Sequence, residues 1–337
     1  MIQEFHNISL RDRNSFHVEQ CATRLVEFDT EEDLQELFAH HAPEKWMVLG
    51  GGNNILFTHD VTQTLLVPRA GEIQIVGEDP ESVHIEVAAG VEWDDLVEWA
   101  VAHELWGIEN LSLIPGKVGA APVQNIGAYG SEAKDAIESV RMFCPETNNM
   151  LVIDAAHCDF GYRESIFKHT LRGRIIITAV RFRLSHTPQP RLGYGDLMRE
   201  VEARGGATLQ HIREAVCAIR RAKLPDPAVQ GNAGSFFKNP VVEIAKAEAL
   251  RERYPDMPSY PVPNRPTCVK LAAGWLIDQA GLKGHIAGKV GVHPHQALVL
   301  VNMGGATGGE VIAFAHTVQQ RVQEMFGVEI DTEVNIL

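Results

Sequence analysis

The segment LSLIPGKVGAAPVQNIGAYGSE, Leu111 to Glu132, constrains this chain more than any other stretch. It is rich in Gly, Ala and Pro, and its only charges are Lys117 and the closing Glu132. Neither a helical nor a strand period runs through it, and a solvated linker usually carries more polar side chains. Small, uncharged residues suit a backbone approached closely by something flat or bulky, so ligand contact stands here against a plain linker. A second bare stretch precedes it. In WMVLGGGNNILFTHD, Trp46 to Asp60, an apolar strand gives way to three glycines and two asparagines. Gly50 and Gly52 fit the first two glycines of G-x-G-x-x-G, but Ile55 occupies the third position. Ile55-Leu56-Phe57 reads as a short strand rather than a helix start, so this is not a standard dinucleotide-binding turn. Two readings remain: a tight hairpin turn, or successive backbone N–H groups that hold an anion.

At 337 residues the chain is long enough for two or three domains. Asp and Glu outnumber Lys and Arg by 44 to 30, a formal net charge of −14. That excess argues against a nucleic-acid or anionic-membrane surface, and an anionic ligand would need local Arg or Lys. The N-terminal MIQEFHNISLRDRNSF lacks the apolar centre of a signal peptide, and no apolar run approaches membrane-spanning length. Five cysteines, odd in number and never arranged C-x-x-C, fit neither a disulfide framework nor a zinc cluster, so a cytoplasmic location is expected. None of the closely placed histidines has the helical spacing of a zinc motif, and no metal is expected.

Periodicity supplies the framework. TEEDLQELFAHHA predicts a helix capped by Thr30, with Leu34, Leu37 and Phe38 on one face. IQIVGEDPESVHIEVAAG predicts a hairpin turning at Asp79-Pro80. VEWDDLVEWAVAHEL predicts a helix with Trp93, Leu96, Val97, Ala100 and Val101 inward. MLVID and RIIITAVRFRLS read as strands, and composition shifts from Thr208, where TLQHIREAVCAIRRAK predicts a helix. KLAAGWLIDQAG predicts a helix ended by Gly281, QALVLVN a buried strand, GGEVIAFAHTVQQRVQEMFG a long helix, and VEIDTEV a closing strand. The class is α+β, sheet-rich in the first half and mixed in the second.

Three polar islands lie in this framework. FGYRES carries Arg163 between strands, where the plain reading is an exposed salt bridge. GNAGSFFKNP places Ser235 between small residues and a Phe pair. It is not a G-x-S-x-G turn and no Asp/His order supports a hydrolase triad, so its surroundings suit a turn residue or a helix cap. DTEV places Glu333 with Asp331 on the polar face of the closing strand, which edge solvation alone would explain.

The order of the segments is more specific than any one of them. GGGNNILF, LIPGKVGAAPVQNIGAYG, FGYRESIFK, YGDL, KLPDP, GNAGSFFKNP, LAAGWLID and a late Glu-Val follow one another as in the UDP-N-acetylenolpyruvoylglucosamine reductases, flavoenzymes of peptidoglycan synthesis. The chain resembles that family from Asn14 to Val334, most specifically in PGKVGAAPVQNIGAYG and GNAGSFFKNP. YGDL at Tyr194 and SYP at Tyr260 are similar to its longer, type I form. The resemblance implies a vanillyl-alcohol-oxidase-like FAD-binding region in two parts, residues 1–68 and 69–207, the second joined by the C-terminal strand 328–337. An α+β substrate-binding domain would span 208–327. Gly50, Gly51, Gly52, Asn53 and Asn54 would cradle the diphosphate of a non-covalent FAD, with Asn53 departing from the family's usual Ser or Thr. Pro115, Gly116, Gly119, Ala120, Asn125, Gly127 and Ala128 would line the flavin path.

The chemistry implied by the resemblance gives each island a task. NADPH reduces the flavin, and the flavin passes a hydride to the β-carbon of a UDP-sugar enolpyruvyl ether, so negative charge builds toward the α-carbon and carboxylate. Arg163 and Glu333 match the family's charge-stabilising pair, and Ser235 matches the acid that protonates the α-carbon. Tyr194, Lys223 and Asn239 match residues that grip the diphosphate, and Tyr260 and Gln296 lie in matching substrate segments. Lys223 and Arg220 would supply local cations on an acidic chain, which is expected to act as a monomer. Two rival readings are a flavin oxidase and a non-catalytic nucleotide binder. The first would need a covalent anchor, and the nearest candidate, His59, lies beyond the glycine loop. The second has no use for Arg163, Ser235 and Glu333 together.

Overall fold

The computed structural model describes residues 1–69, 71–262 and 265–337. It divides into two compact units, Met1–Ile8, Ala22–Gly51 and Thr62–Ala222 in the first, and Ser9–Cys21, Gly52–Val61 and Lys223–Leu337 in the second.

Two sheets build the first unit. A four-stranded sheet runs in the order Gln3–Ser9, Cys21–Phe28, Val61–Pro68, Trp46–Val48, with the last two strands parallel. A five-stranded antiparallel sheet runs Asn149–Asp154, Ile137–Cys144, Ile176–Ser185, Ser82–Ala88, Ile73–Glu78. The turn at Asp79-Pro80 forms as expected, because the Asp79 carboxylate accepts the N–H groups of Glu81 and Ser82.

Helix α1, Glu31–His40, begins with a capping box in which Thr30 and Asp33 satisfy each other's backbone N–H groups. Its Leu34 and Leu37 pack with Val26, Phe28 and Leu66 of one sheet and Phe143 and Ile176 of the other, so one amphipathic helix joins the two. Helix α2, Trp93–Ala102, buries Trp93, Leu96, Val97 and Ala100 against Ile85, Val87, Val140, Val180 and Phe182. Each large side chain buried this way is worth about 1.5–3 kcal/mol. Trp93 also donates its indole N–H to the Leu111 carbonyl at 2.9 Å, which ties the helix to the 111–132 loop.

Helix α3, Leu197–Glu202, and helix α4, Leu209–Lys223, pack with Val101 and Trp106 of the same unit. The division between units therefore falls after Ala222 rather than after 207. The inward stripe of Leu209, Ile212, Val216 and Ile219 forms as predicted, but periodicity does not say which surface it will meet.

The second unit contains two three-stranded sheets. One is Val241–Glu243, Cys268–Leu271, Ser259–Pro261, and the other Ile286–Ala287, Val290–Val292, Leu300–Asn302. Helices α5, Ile244–Arg253, α6, Ala273–Gln279, and α7, Gly308–Phe326, accompany them. Helix α7 opens with a Thr307/Glu310 capping box and closes at Gly327, whose left-handed φ of 61° lets its N–H reach the Gln323 carbonyl. Among the described residues no helix is long and apolar enough to cross a membrane.

The chain end departs from expectation. VEIDTEV does not form a strand: Thr332 bridges Phe237, and pairing resumes only at Asn335–Ile336. Those two residues run parallel to Ile55–Leu56 in the second unit rather than joining the sheet of 69–207. The alternation of buried Val328, Ile330 and Val334 is real, but alternation marks any extended chain, and a strand also needs a continuous partner.

Candidate active site

In the first unit the 111–132 loop is anchored on the residues that follow strand Ser82–Ala88. Gly116 accepts the Trp93 N–H at 2.8 Å, Val118 donates to Val91 at 2.9 Å, and Gly119 donates to Ala89 at 3.0 Å. Lys117 binds the Gly90 carbonyl at 2.8 Å and Glu92 at 3.1 Å, so its charge is spent as a brace. A Cβ on Gly119 would lie 2.6 Å from the Ala89 Cβ, so the glycine is required by packing. Pro115 and Ala120 are exposed, and Gly116 is half-buried. The two bare stretches approach each other, since a Cβ on Gly50 would stand 3.8 Å from the Ala120 Cβ. Gly50, exposed Gly51 and Ala120 thus present small, uncharged surface to whatever lies against them. An extended dinucleotide with a flat ring system, such as FAD, fits that surface.

Asn125 braces the loop from within. Its side chain is buried and donates to the Gly161 carbonyl at 2.9 Å and to Glu132 at 3.1 Å, while its oxygen accepts the Lys134 N–H at 3.0 Å. Gly127–Ala128 and Ser131–Glu132 form a small hairpin whose turn residues, Tyr129 and Gly130, have φ of 47° and 80°. Arg163 sits at φ 57° in a turn closed by reciprocal Gly161–Glu164 backbone bonds. Its guanidinium donates to the Gly127 carbonyl at 2.7 Å, and a Cβ on Gly127 would meet Arg163 Nη1 at 3.1 Å. Arg163 is therefore pinned to the carbonyls of the small-residue loop. Left-handed backbone in a non-glycine residue is a strained arrangement of the kind found where a side chain must be aimed.

Beside this loop lies a network that includes Arg220 and Tyr194, both expected from sequence, and whose other members were not singled out there. Arg220 of α4 donates Nε to the Leu113 carbonyl at 3.1 Å and bonds the Tyr129 hydroxyl. Burial pushes the Arg220 pKa down and the Tyr129 pKa up, with their mutual contact opposing both shifts. Arg213 grips Asp94 with two bonds, at 2.7 and 3.1 Å, and Asp94 also accepts the Leu113 N–H. The Tyr194 ring meets Tyr129 edge-on at 5.9 Å. The Tyr-Gly pair at 129–130 was the available signal, an aromatic side chain at a turn inside a run of small residues.

The second unit holds the other candidates. Gly52, at φ 66°, is buried, and a Cβ there would collide with the Arg13 carbonyl. Its own carbonyl accepts from the Ser15 N–H at 3.1 Å, so this glycine serves a close approach of the chain to itself. Asn53 is half-buried in the turn. The Asn54 carbonyl accepts from the Asn335 backbone at 3.1 Å, and its amide reaches the Glu333 carbonyl at 3.5 Å.

In GNAGSFFKNP the buried Asn232 accepts the Gly234 N–H at 2.9 Å, and Gly234 turns at φ 67°. Phe236 and Phe237, both fully buried, anchor the strand that follows. Phe236 N–H donates to Leu298 at 2.8 Å, Glu333 N–H donates to the Phe236 carbonyl at 2.8 Å, and Lys238 N–H donates to Asp331 at 2.8 Å. Ser235, half-buried and bridged to Val299, thus stands one residue from the backbone that holds Glu333.

The Asn239 oxygen accepts the Ala273 N–H at 2.9 Å at the start of α6, and the Gln296 oxygen accepts the Leu298 N–H at 3.4 Å. Tyr260 is exposed on strand Ser259–Pro261, opposite Lys270, and Lys223 is exposed at the end of α4. Among the described residues no group of His, Cys, Asp and Glu is placed to hold a metal ion.

Comparison with known proteins places this geometry in a family. Residues 22–148 match the profile of an FAD binding domain, and residues 226–337 match that of the UDP-N-acetylenolpyruvoylglucosamine reductase C-terminal domain. The UDP-N-acetylenolpyruvoylglucosamine reductase of Chromobacterium violaceum is 48% identical, over 98% of each chain. That of Burkholderia cenocepacia is 52% identical, over 85% of this chain and 83% of its own. The crystal structure of the reductase from Thermus caldophilus superposes with a TM-score of 0.67 at 26% identity, covering 100% of this chain and 98% of that one. The chain belongs to the UDP-N-acetylenolpyruvoylglucosamine reductase family, FAD-containing oxidoreductases of peptidoglycan synthesis.

Proposed function

We propose that this enzyme reduces the enolpyruvyl group of UDP-N-acetylglucosamine enolpyruvate to give UDP-N-acetylmuramate, with electrons from NADPH and a non-covalently held FAD. The observation that carries the reading is the shared scaffold of Ser235 and Glu333, in which the Glu333 N–H is bonded to the residue next to Ser235. A hydrolase or a binding module has no need for a carboxylate and a hydroxyl fixed by one short ladder. Gly50, Gly51, Gly119 and Ala120 would hold the dinucleotide, supported by their small size and the approach of Gly50 to Ala120. A flavin held there would supply two-electron redox chemistry between NADPH and the enolpyruvyl group.

The chain's own residues would do the rest. Arg163, already aimed by its bond to the Gly127 carbonyl, offers a fixed cation to the substrate carboxylate as charge builds there. Glu333 would serve the same charge stabilisation. Ser235 Oγ delivers a proton to the α-carbon, so hydride and proton together saturate the double bond. A serine hydroxyl is a weak acid in water, and the role therefore demands that its proton be resupplied through neighbouring groups. Tyr194, Lys223, Asn239, Tyr260 and Gln296 would bind the nucleotide. The oxygens of Asn239 and Gln296 already accept backbone N–H groups, so both would meet the diphosphate through their amide nitrogens.

In this reading NADPH and the sugar nucleotide use one site in turn, in a monomer acting in the cytoplasm. Initial rates at varied concentrations of both should give parallel double-reciprocal lines, with each substrate inhibiting at high concentration. Intersecting lines, the mark of a ternary complex, would contradict it.

A further inference from the structure

Asn110 lies in the short 3-10 turn Glu109–Leu111 and is 1% exposed. Its amide nitrogen donates twice, to the Tyr129 carbonyl at 2.8 Å and to the Arg191 carbonyl at 2.7 Å. Both neighbours are carbonyls, so the nitrogen must face them, and the amide oxygen has no hydrogen-bond partner among the described residues. A buried oxygen left unbonded costs stability. The residue is therefore poorly explained as a stabiliser. What it supplies is position, because one planar group fixes two carbonyls that lie far apart in the chain.

The two carbonyls belong to facing partners. Tyr129 is the turn residue of the small hairpin. Arg191 lies within residues 186–196, which carry neither helix nor strand between strand Ile176–Ser185 and α3. Tyr194 follows three residues later, with its ring edge-on to Tyr129 at 5.9 Å and its Cβ 3.8 Å from where a Gly130 Cβ would stand. Arg191 also pairs with Asp135, and Leu192 packs on the same apolar cluster as Tyr129. We infer that Asn110 is a positioning residue for nucleotide binding: by joining the Tyr129 and Arg191 carbonyls it sets Tyr194 where it meets the diphosphate of the sugar nucleotide. The inference rests on the reading of Tyr194 as a diphosphate-binding residue.

The oxidised holoenzyme cannot turn over the enolpyruvyl sugar nucleotide, so its Kd can be measured directly by calorimetry. Asn110→Leu keeps the branching at Cγ and removes both donors along with the unbonded oxygen. Asn110→Ala, which removes the same donors with a smaller side chain, replaces it should the leucine variant fail to fold. Losing two buried hydrogen bonds should weaken binding by up to about thirty-fold through a smaller competent fraction. Flavin reoxidation at saturating substrate should be unchanged, because Asn110 touches nothing that reacts. Hydrogen exchange across 186–196 should speed up.

The deciding arm is a double-mutant cycle with Tyr194→Phe. If Asn110 acts through Tyr194, the double variant binds no more weakly than Tyr194→Phe alone. Wild-type affinity in the Asn110 variant, or effects that multiply in the double variant, would overturn the inference and leave the role of Tyr194 standing. Wild-type affinity in Tyr194→Phe would instead remove the diphosphate reading itself, and this inference with it.

Discussion

Asn125→Ala should be the most damaging conservative change in the loop that separates this chain from an ordinary α+β protein. The side chain makes three hydrogen bonds, two as donor to Gly161 and Glu132 and one as acceptor from Lys134. At about 1 kcal/mol each these sum to about 3 kcal/mol. Asparagine tolerates the left-handed φ of 43°, whereas alanine there costs about 1–2 kcal/mol more. A loss of about 4–5 kcal/mol is a large part of the 5–15 kcal/mol typical of a folded protein. It should also loosen the flavin, because the same amide joins the 161–164 turn that aims Arg163 to the hairpin that receives its guanidinium. Urea unfolding followed by circular dichroism reads the first effect, and flavin fluorescence in the filtrate after ultrafiltration reads the second. Asn125→Gly, which relieves the backbone term alone, should recover about 1 kcal/mol over alanine. A cost below about 1 kcal/mol for Asn125→Ala with full flavin retention would refute the view of Asn125 as a brace.

Other expectations follow from each unit taken by itself. Ser235→Ala should leave flavin reduction by NADPH near the wild-type rate and slow flavin reoxidation by roughly a hundred- to ten-thousand-fold in stopped flow, whereas equal slowing of both steps would remove the proton-donor role. Asp94→Asn should cost about 2–3 kcal/mol at pH 7, since it breaks the paired grip of Arg213. Burial alone would raise the Asp94 pKa, but Arg213 and the Leu113 N–H outweigh it and hold the carboxyl below its usual range. With the folded value depressed, its stabilisation is complete above the unfolded value of about 3.9 and is lost as pH falls through the folded one. Urea curves of wild type and variant should therefore begin to approach each other below about pH 4 and meet only below the folded value, and identical curves at pH 7 would contradict the assignment.

How much of this was legible in the sequence depends on whether local pattern or distant partners decide each feature. The capped helix at Thr30, the Asp79-Pro80 turn and the inward faces of α2 and α4 all rest on local periodicity and turn chemistry, and the structure shows each of them. The partner of α4 was not legible, because an apolar stripe does not name the surface it will meet. Nor was the route of the chain end, where Asn335–Ile336 pairs with Ile55–Leu56 across most of the sequence. Among the site residues, sequence order proposes Arg163, Ser235 and Glu333, but it says nothing of which candidates also hold a loop together. Gly52 and Asn125 illustrate this, since the one lies against the Arg13 backbone and the other's side chain bonds Gly161 and Lys134, contacts that no motif records. Tyr129 and Asn110 illustrate the converse, because their contacts to each other and to Arg191 are ones no local motif records; Arg220 was expected as a cation, but not its bond to the Leu113 carbonyl.

The central claim is that electrons pass from NADPH to the enolpyruvyl group through one bound flavin, in two separable steps. The most direct measurement keeps oxygen out and follows the flavin absorbance of the purified holoenzyme. NADPH should bleach the oxidised band, and after the nicotinamide is removed by gel filtration, UDP-N-acetylglucosamine enolpyruvate should restore it while one equivalent of UDP-N-acetylmuramate forms per flavin. A flavin that stays reduced after the sugar nucleotide is added, or a product that appears only while NADPH is still present, would contradict the account.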